Sequence, residues 1–290
     1  MDIKKILFPT DFSESAHHAL KQAVELALVH RATLFIFHAI LLHTDDPQQL
    51  KSRLNEYLDQ LEKETLERLQ SKSDEIKGRG VAVEISTEKS VSPFEVIIDK
   101  ANTIRPDLIV MGTHGRSGVG KLLLGSVAEK VLRHAPCHVL TLRKDSAIAE
   151  GSGGFERIIV PVDFTDHSRR ALDLASTLLS KNGKLILVHV VATPIHPSFY
   201  AGGVTRMFQL DPDLPSRIEA NLNEWLGGLP GDVVAAEGEV HSELMKVSEE
   251  KDAQLVVIGT RGLGGVEHFL VGSVTEKIVR LSKIPVLTVK

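Results

Sequence analysis

Short apolar runs alternate with amphipathic stretches along the first half of the chain. Runs of strand length occupy residues 3–8, 33–38, 81–85, 108–111 and 138–142. After the first run, alanine, leucine and valine recur at the spacing of one helix face, at Ala16, Ala19, Leu20, Ala23, Val24 and Ala27. Strands that alternate with helices in this way predict a parallel sheet with helices on both faces.

The expected helix ends carry their own signals. Ser13 precedes the first helix, where its hydroxyl can accept a hydrogen bond from a first-turn amide. A long second helix is predicted over residues 47–77, and Gly78 and Gly80 should end it. Its inner face is expected to carry Leu50, Leu54, Leu58, Leu61 and Leu69. A third helix is predicted from Pro93 to about Asn102.

The second half of the chain repeats the first. The segment KILFPTDFS at residues 5–13 recurs as RIIVPVDFT at 157–165, and FIFH at 35–38 recurs as ILVH at 186–189. Such self-similarity indicates a duplicated domain. We therefore predict a first domain over residues 1–146, a glycine- and serine-rich linker over 147–154, and a second domain over 155–290.

A glycine pattern follows the fourth apolar run in each half. Gly112, Gly115 and the pair Gly125-Ser126 lie between that run and a helical pattern, and Gly259, Gly262 and Gly272-Ser273 repeat the same spacing. Glycines allow a close approach of the main chain to a ligand. A helix that begins at such a loop offers unpaired N–H groups and a positive dipole end. The pattern therefore predicts a phosphate site.

Asp11 follows the first apolar run directly. If the first and fourth strands are neighbours, Asp11 and the glycine loop meet at the carboxyl edge of the sheet, where parallel sheets bind ligands. Asp11 could then accept hydrogen bonds from a ribose hydroxyl or an adenine amine. The alternative is that Asp11 only caps the following helix. Its recurrence as Asp163 favours the ligand role.

Composition narrows the class of protein. The 290 residues are 42% hydrophobic and 25% charged, which is ordinary for a globular protein of about two domains. A formal net charge of −4 argues against a nucleic acid partner held by a basic patch. Cys137 is the single cysteine, so no intramolecular disulfide can form, and no apolar run is long enough for a membrane span. We expect a cytoplasmic protein.

Three other patterns can be explained without a functional site. Residues 115–122 resemble a Walker A loop, but Leu122 stands where a serine or threonine would bind magnesium. His17, His18 and His38 show no metal-ligand spacing and are interpreted as surface or strand-end residues. Cys137 lies beside an apolar strand and is interpreted as a buried thiol rather than a nucleophile. None of the three predicts a site.

The repeated Pro-x-Asp segment and the double Gly-x2-Gly-x9-Gly-Ser motif resemble the universal stress proteins, and in particular their tandem form. The resemblance covers nearly all of both halves. It implies an α/β fold of two tandem Rossmann-like (adenine nucleotide alpha hydrolase-like) domains, each with a five-stranded parallel sheet of order 3-2-1-4-5. His138 departs from the proline usual at that position, which touches the sheet edge rather than the site.

The resemblance also implies ATP as the ligand, with Mg²⁺ bridging the phosphates. In the first half it assigns the site to Pro9, Thr10, Asp11, Ala39, Met111, Gly112, Gly115, Arg116, Gly125, Ser126 and Val127. In the second half it assigns the site to Pro161, Val162, Asp163, Val190, Ile258, Gly259, Gly262, Gly272, Ser273 and Val274. A stress-response module that binds ATP or a related adenine nucleotide is therefore favoured.

Two alternatives stay open. The same pocket could serve a slow ATPase or nucleotidyl transferase, although no repeated water-orienting residue lies beside the loops. One half could also bind another small molecule, because a Pro- and Gly-rich connection over residues 193–215 carries Phe199, Tyr200, Met207 and Phe208.

The glycine loops of the two halves differ in charge. Arg116 and Lys121 make the first glycine loop more positive than the second, which has Arg261 and Glu267, so we expect the first half to bind ATP more tightly.

The family resemblance further implies that the halves pair as a pseudo-dimer through their last strands, and that two chains can form a homodimer.

Overall fold

The described residues form five parallel strands in each half of the chain. The computed structural model describes residues 3–42, 51–113, 124–146, 148, 151, 154–192, 206–260 and 272–290, without the side chains of residues 51–55. Two compact units divide the chain, Asp2–Ser146 and Ala147–Lys290. We call them the N half and the C half.

The N half alternates strands and helices from its first strand to its last. Its elements are β1 (Lys5–Pro9), α1 (Glu14–His30), β2 (Thr33–Leu41), α2 (Lys51–Lys77), β3 (Val83–Ser90), α3 (Pro93–Ile104), β4 (Leu108–Gly112), α4 (Ser126–His134) and β5 (His138–Leu142). The strands pair in the order β3-β2-β1-β4-β5. This is the predicted order 3-2-1-4-5.

The C half repeats the same order of pairing, β8-β7-β6-β9-β10. Its elements are β6 (Phe155–Pro161), α5 (Asp166–Thr177), β7 (Leu179–Ala192), α6 (Met207–Leu210), α7 (Leu214–Leu226), β8 (Gly231–Gly238), α8 (Val240–Glu250), β9 (Leu255–Gly259), α9 (Ser273–Leu281) and β10 (Val286–Val289). The predicted α/β fold of two tandem Rossmann-like domains is confirmed.

The handedness of the connections places helices on both faces of the N-half sheet. Successive strands run outward from β1 to β3, and the chain then crosses back to β4 and continues to β5. Because such crossovers are right-handed, α1 and α2 cover one face and α3 and α4 the other. Phe94 of α3 and His134 of α4 pack edge to face, with ring centroids 5.1 Å apart. The reversal of direction occurs beside β1.

Local chemistry sets the start of the first helix in each half. The Ser13 hydroxyl accepts a hydrogen bond from the Ala16 amide at 3.1 Å, as predicted. Thr165 does the same for the Ser168 amide at 3.4 Å. Both helices then pack alanine-rich faces on the sheet, where Ala19, Ala23 and Ala171 are buried. The first helix of each half therefore begins at the turn that follows the first strand and packs against the sheet.

Two N-half strands extend beyond the apolar runs that predicted them. β2 continues from His38 to Leu41, and β3 covers Val83–Ser90 rather than residues 81–85. The two strands stay paired to the register Leu41 with Ser90. The end of β3 is polar and half exposed, so its sequence lacks the apolar pattern although its backbone is paired. The second helix is described from Lys51, and the predicted residues 47–50 lie outside the described chain.

Candidate functional site

The first strand of each half lies between the second and fourth strands. β1 pairs with β2 and with β4, and β6 pairs with β7 and with β9. All these strands are parallel, so the turn after β1 and the loop after β4 leave the sheet side by side. Parallel sheets bind ligands at this switch point, at the carboxyl ends of the strands. The described part of the candidate site in each half is the turn after the first strand, the end of the fourth strand and the start of the helix that follows it.

The turn after the first strand is the same in both halves. Asp11 accepts a hydrogen bond at Oδ1 from the Ser13 amide at 2.9 Å, and Phe12 has a left-handed backbone with φ 62°. Asp163 accepts from both the amide and the hydroxyl of Thr165, at 3.2 and 2.6 Å, and Phe164 repeats the φ of 62°. The aspartates thus order the turn while Ser13 and Thr165 cap the helices. Both aspartates are half buried, so solvent reaches them.

A histidine in the second strand of each half contacts this turn. His38 Nδ1 lies 2.6 Å from the Thr10 carbonyl oxygen, and its ring is 4.6 Å from the ring of Phe12. His189 Nδ1 lies 2.7 Å from the Val162 carbonyl, with its ring 4.9 Å from Phe164. The interpretation of His38 as a surface or strand-end residue is wrong. It is 8% exposed and lies within β2, because the strand runs on to Leu41.

The first glycine of each motif packs closely against the first helix, and more tightly at Gly112 than at Gly259. A Cβ on Gly112 would lie 2.6 Å from Ser15 Oγ and 3.0 Å from the Ser15 carbonyl carbon. A Cβ on Gly259 would lie 3.0 Å from the Cβ of His167. The absence of a side chain therefore lets the first helix approach the end of the fourth strand. At Gly272 an added Cβ would be 3.6 Å from its nearest neighbour, an ordinary contact, so packing does not demand glycine there.

The helix after the fourth strand begins where the motif predicts. Gly125 is extended, its amide donates to the Thr113 carbonyl at 2.8 Å, and α4 starts at Ser126. Gly272, the Thr260 carbonyl and Ser273 repeat the arrangement at 2.8 Å. Among the described residues, no side chain caps either helix. The first-turn amides of an α-helix have no intrahelical partner, and the dipole there is positive, so this end can accept an anion.

Each half of the chain has the strand order and the helix start that its sequence motifs led us to expect. The profile of the universal stress protein family matches residues 2–143 and again residues 154–290. The chain belongs to the universal stress protein family. A universal stress protein of Methanocaldococcus jannaschii is 30% identical over 162 residues, which cover 50% of this chain and 97% of that protein.

Two further relatives match the chain over both halves. A universal stress protein of Mycolicibacterium smegmatis is 24% identical over 295 residues, 98% of this chain and 96% of its own. The crystal structure of a universal stress protein from Archaeoglobus fulgidus superposes with a TM-score of 0.74 at 24% identity, and the match covers 100% of this chain and 99% of that one. The tandem form of the family is therefore shared by sequence and by fold.

Within this family framework, most of the predicted site residues fall at the ends of the first, second and fourth strands or at a helix start. Pro9 and Pro161 end β1 and β6, and Met111 and Ile258 are buried in β4 and β9. The other described positions are Thr10, Asp11, Ala39, Gly112, Gly125, Ser126, Val127, Val162, Asp163, Val190, Gly259, Gly272, Ser273 and Val274. Gly115, Arg116 and Gly262 lie outside the described residues.

The sequence interpretation also differs from the structure at two other places. Cys137 is half exposed rather than buried. The connection predicted over residues 193–215 is helical in part, since it contains α6 and the first residues of α7. The amides of Met207 and Phe208 donate to the carboxylate of Glu237 at the end of β8. Residues 193–205, with Phe199 and Tyr200, lie outside the described chain.

The described residues contain neither a cluster for metal binding nor a helix for membrane crossing. No group of three or more His, Cys, Asp or Glu side chains in the described segments could hold a metal ion. In the same segments no helix is both long and apolar enough to span a bilayer. Two arginines near the described turns stack on aromatic rings. The Arg68 guanidinium carbon is 4.2 Å from the Phe12 ring centroid, and that of Arg169 is 4.8 Å from the Trp225 ring centroid.

Proposed function

We propose that each half of this universal stress protein binds an adenine nucleotide, with ATP as the principal ligand and Mg²⁺ bridging its phosphates. The observation that carries the proposal is the juxtaposition at the switch point. A half-buried aspartate follows the first strand in an ordered turn, and a helix that no described side chain caps begins beside the end of the adjacent fourth strand. The arrangement occurs twice in one chain.

The two parts of the site have complementary chemistry. The first-turn amides of α4, with the Ser126 hydroxyl, would donate to phosphate oxygens, and the helix dipole would favour their negative charge. The Asp11 carboxylate can only accept, which suits a ribose hydroxyl or an adenine amine. The glycines of the motif would let the phosphates approach the main chain. Magnesium would arrive with the phosphates and be held chiefly by them.

We expect the nucleotide to be bound rather than rapidly turned over. Efficient phosphoryl transfer needs a residue that orients the attacking water. In the described residues, the carboxylates at the turns are already engaged by Ser13 and Thr165. Release of inorganic phosphate, measured on the sample used for binding, would separate a binding module from a slow ATPase.

Isothermal titration calorimetry with ATP, with and without Mg²⁺, tests the proposal. The intact chain should bind ATP with micromolar or tighter affinity and should be stabilised against heat by it. Absence of both heat of binding and thermal stabilisation would overturn the proposal. AMP should bind more weakly than ATP, since it lacks the phosphates that reach the helix start.

A pair of substitutions at the helix starts makes the test specific. Proline fits the first position of a helix, and Gly125 and Gly272 already have the extended backbone that precedes a proline. Ser126→Pro with Ser273→Pro therefore removes one amide donor and one hydroxyl from each site while keeping the helix. Ser126→Ala with Ser273→Ala removes only the hydroxyls. ATP affinity should fall in both double variants, and further in the proline one.

A further inference from the structure

One residue in each half, Thr10 or Val162, is hydrogen-bonded at both its amide and its carbonyl by consecutive residues of the second strand. The Thr10 amide donates to the Phe37 carbonyl at 2.8 Å, and the Thr10 carbonyl is 2.6 Å from Nδ1 of His38. The Val162 amide donates to the Val188 carbonyl at 2.8 Å, and its carbonyl is 2.7 Å from Nδ1 of His189. The carbonyl that contacts the histidine belongs to the peptide that leads into Asp11 or Asp163.

The chemistry of this contact fixes the position of the imidazole proton. A carbonyl oxygen can only accept, so Nδ1 of His38 and of His189 must carry the hydrogen. His38 is buried, and the loss of its donor would leave the half-buried Thr10 carbonyl without this partner. The two histidines are therefore donors to the turn and not merely apolar filling.

The same rings support a backbone conformation that is unfavourable by itself. Phe12 and Phe164 both have φ 62°, in the left-handed region that residues with a side chain rarely adopt. Each phenyl ring lies against the histidine that holds the preceding peptide. Strain of this kind persists where the surroundings over-determine it, and it gathers at functional sites. The pattern occurs twice although the outer neighbours, Arg68 and Trp225, differ.

We propose that His38 and His189 are positioning residues of the two nucleotide sites. Each orients the peptide before the aspartate, and thereby presets the carboxylate of Asp11 or Asp163 toward the ligand. This inference rests on the proposed nucleotide binding for its functional consequence. The order of the turn can be measured without any nucleotide.

Two substitutions separate hydrogen bonding from packing. The side-chain amide nitrogen of asparagine is as many bonds from the backbone as Nδ1 of histidine, so His38→Asn keeps a donor for the Thr10 carbonyl. His38→Leu keeps apolar volume and removes the donor. Both are made together with Ser273→Pro, so that the N-half site dominates the signal. His189→Asn and His189→Leu with Ser126→Pro form the matched set.

The first measurement is hydrogen exchange of the Ser13 amide in the nucleotide-free chain, because that amide donates to Asp11 within the turn. Exchange should be faster with His38→Leu than in the Ser273→Pro protein that keeps His38. With His38→Asn it should stay close to that of the Ser273→Pro protein. The second measurement is ATP affinity by calorimetry. His38→Leu should weaken binding about tenfold, and His38→Asn should restore most of that loss.

The outcomes distinguish this inference from the proposed function. The positioning role would be overturned if the leucine and asparagine variants had the same Ser13 exchange rate and the same ATP affinity. This holds whether both variants match the background or both exchange faster and bind more weakly. A background protein that binds no ATP would overturn the proposed function. Ser13 exchange would in that case still decide whether the histidine donor orders the turn.

Discussion

The N half and the C half build the same turn with the same backbone, but surround it with different side chains. In the N half the Arg68 guanidinium stacks on Phe12. In the C half Trp225 meets Phe164 edge to face, with ring centroids 5.5 Å apart, and Arg169 stacks on Trp225 instead. Since the turn is unchanged, its geometry depends on the shared histidine and aspartate contacts and not on these outer neighbours.

The first turn of the following helix differs more. Ser15 is buried against Gly112, and its hydroxyl has no hydrogen-bond partner among the described residues. His167 takes its place in the C half, and its Nδ1 accepts a hydrogen bond from Arg170 at 2.8 Å. The duplicated copies have thus kept the backbone of the site while they changed polarity and charge beside the fourth strand. Equal ligand affinity in the two halves is therefore not expected.

The largest effect should come from filling the space beside the fourth strand. Gly112→Ala would place a Cβ 2.6 Å from Ser15 Oγ, whereas the nearest atom to a Cβ at Gly259 is 3.0 Å away. We expect Gly112→Ala to lower the free energy of unfolding by about 1–3 kcal/mol, and Gly259→Ala to lower it less. Urea unfolding measures both, with Gly272→Ala as the control that should change little. An unshifted transition for Gly112→Ala would contradict this account of the glycine.

The second prediction compares the two nucleotide sites directly. Ser126→Pro and Ser273→Pro, made singly, each disable one helix start. We expect Ser126→Pro to remove more ATP affinity, because Arg116 and Lys121 give the N-half loop the greater positive charge in the sequence. The intrinsic difference between the sites should be about tenfold. Calorimetry of the two variants decides, and a tighter site surviving in Ser126→Pro would reverse the ranking.

A smaller effect should come from a hydroxyl that only the C half has. Thr275 is buried in the first turn of α9 and donates from Oγ1 to the Gly259 carbonyl at 3.0 Å, where the N half has Ala128. Thr275→Val keeps the shape and removes the hydroxyl, which should cost about 1 kcal/mol. Urea unfolding of Thr275→Val, beside Thr275→Ser as the control that keeps a hydroxyl, measures it. An unshifted transition for Thr275→Val would contradict the role of the hydroxyl, and a loss in Thr275→Ser alone would show that the methyl group matters instead.

The smallest effect concerns an exposed ion pair of the C half. The hydrogen bond from Lys277 holds the pKa of Glu239 below its ordinary value of 4.5. A carboxylate with a lowered pKa stabilises the fold at pH above 4.5, and that contribution is lost as the pH falls below it. Glu239→Gln should therefore shift the urea midpoint slightly at neutral pH and not at all in acid.

Lys130 provides the matched control for that pair. It occupies the corresponding place in α4, and its ammonium nitrogen lies 5.8 Å from the Phe94 ring centroid. Lys130→Met should leave the pH dependence of stability unchanged, whereas Lys277→Met should reproduce the effect of Glu239→Gln. Equal pH dependence in the two lysine variants would show that the ion pair contributes nothing measurable, as surface pairs often do.

Much of this protein could be predicted from its sequence because the relevant signals are local. Strand and helix periods, the Ser13 cap and the helix start at Ser126 depend on residues within a few positions of each other. The duplication and the strand order followed from the repeated motifs and the family they resemble, and both are confirmed. The pairing of the two halves and the nucleotide ligand remain predictions.

Other properties were decided only when distant segments met. Gly112 reads as a ligand-facing glycine, yet its missing Cβ is needed because Ser15 packs there. His38 reads as an isolated polar residue, yet it is a buried donor because Thr10 turns back over β2. The sequence by itself determined the elements, their duplication and where the helices begin. Burial, hydrogen-bond partners and the true reason for each glycine were decided by the tertiary structure, since they depend on which residues far apart in the chain come within a few ångströms.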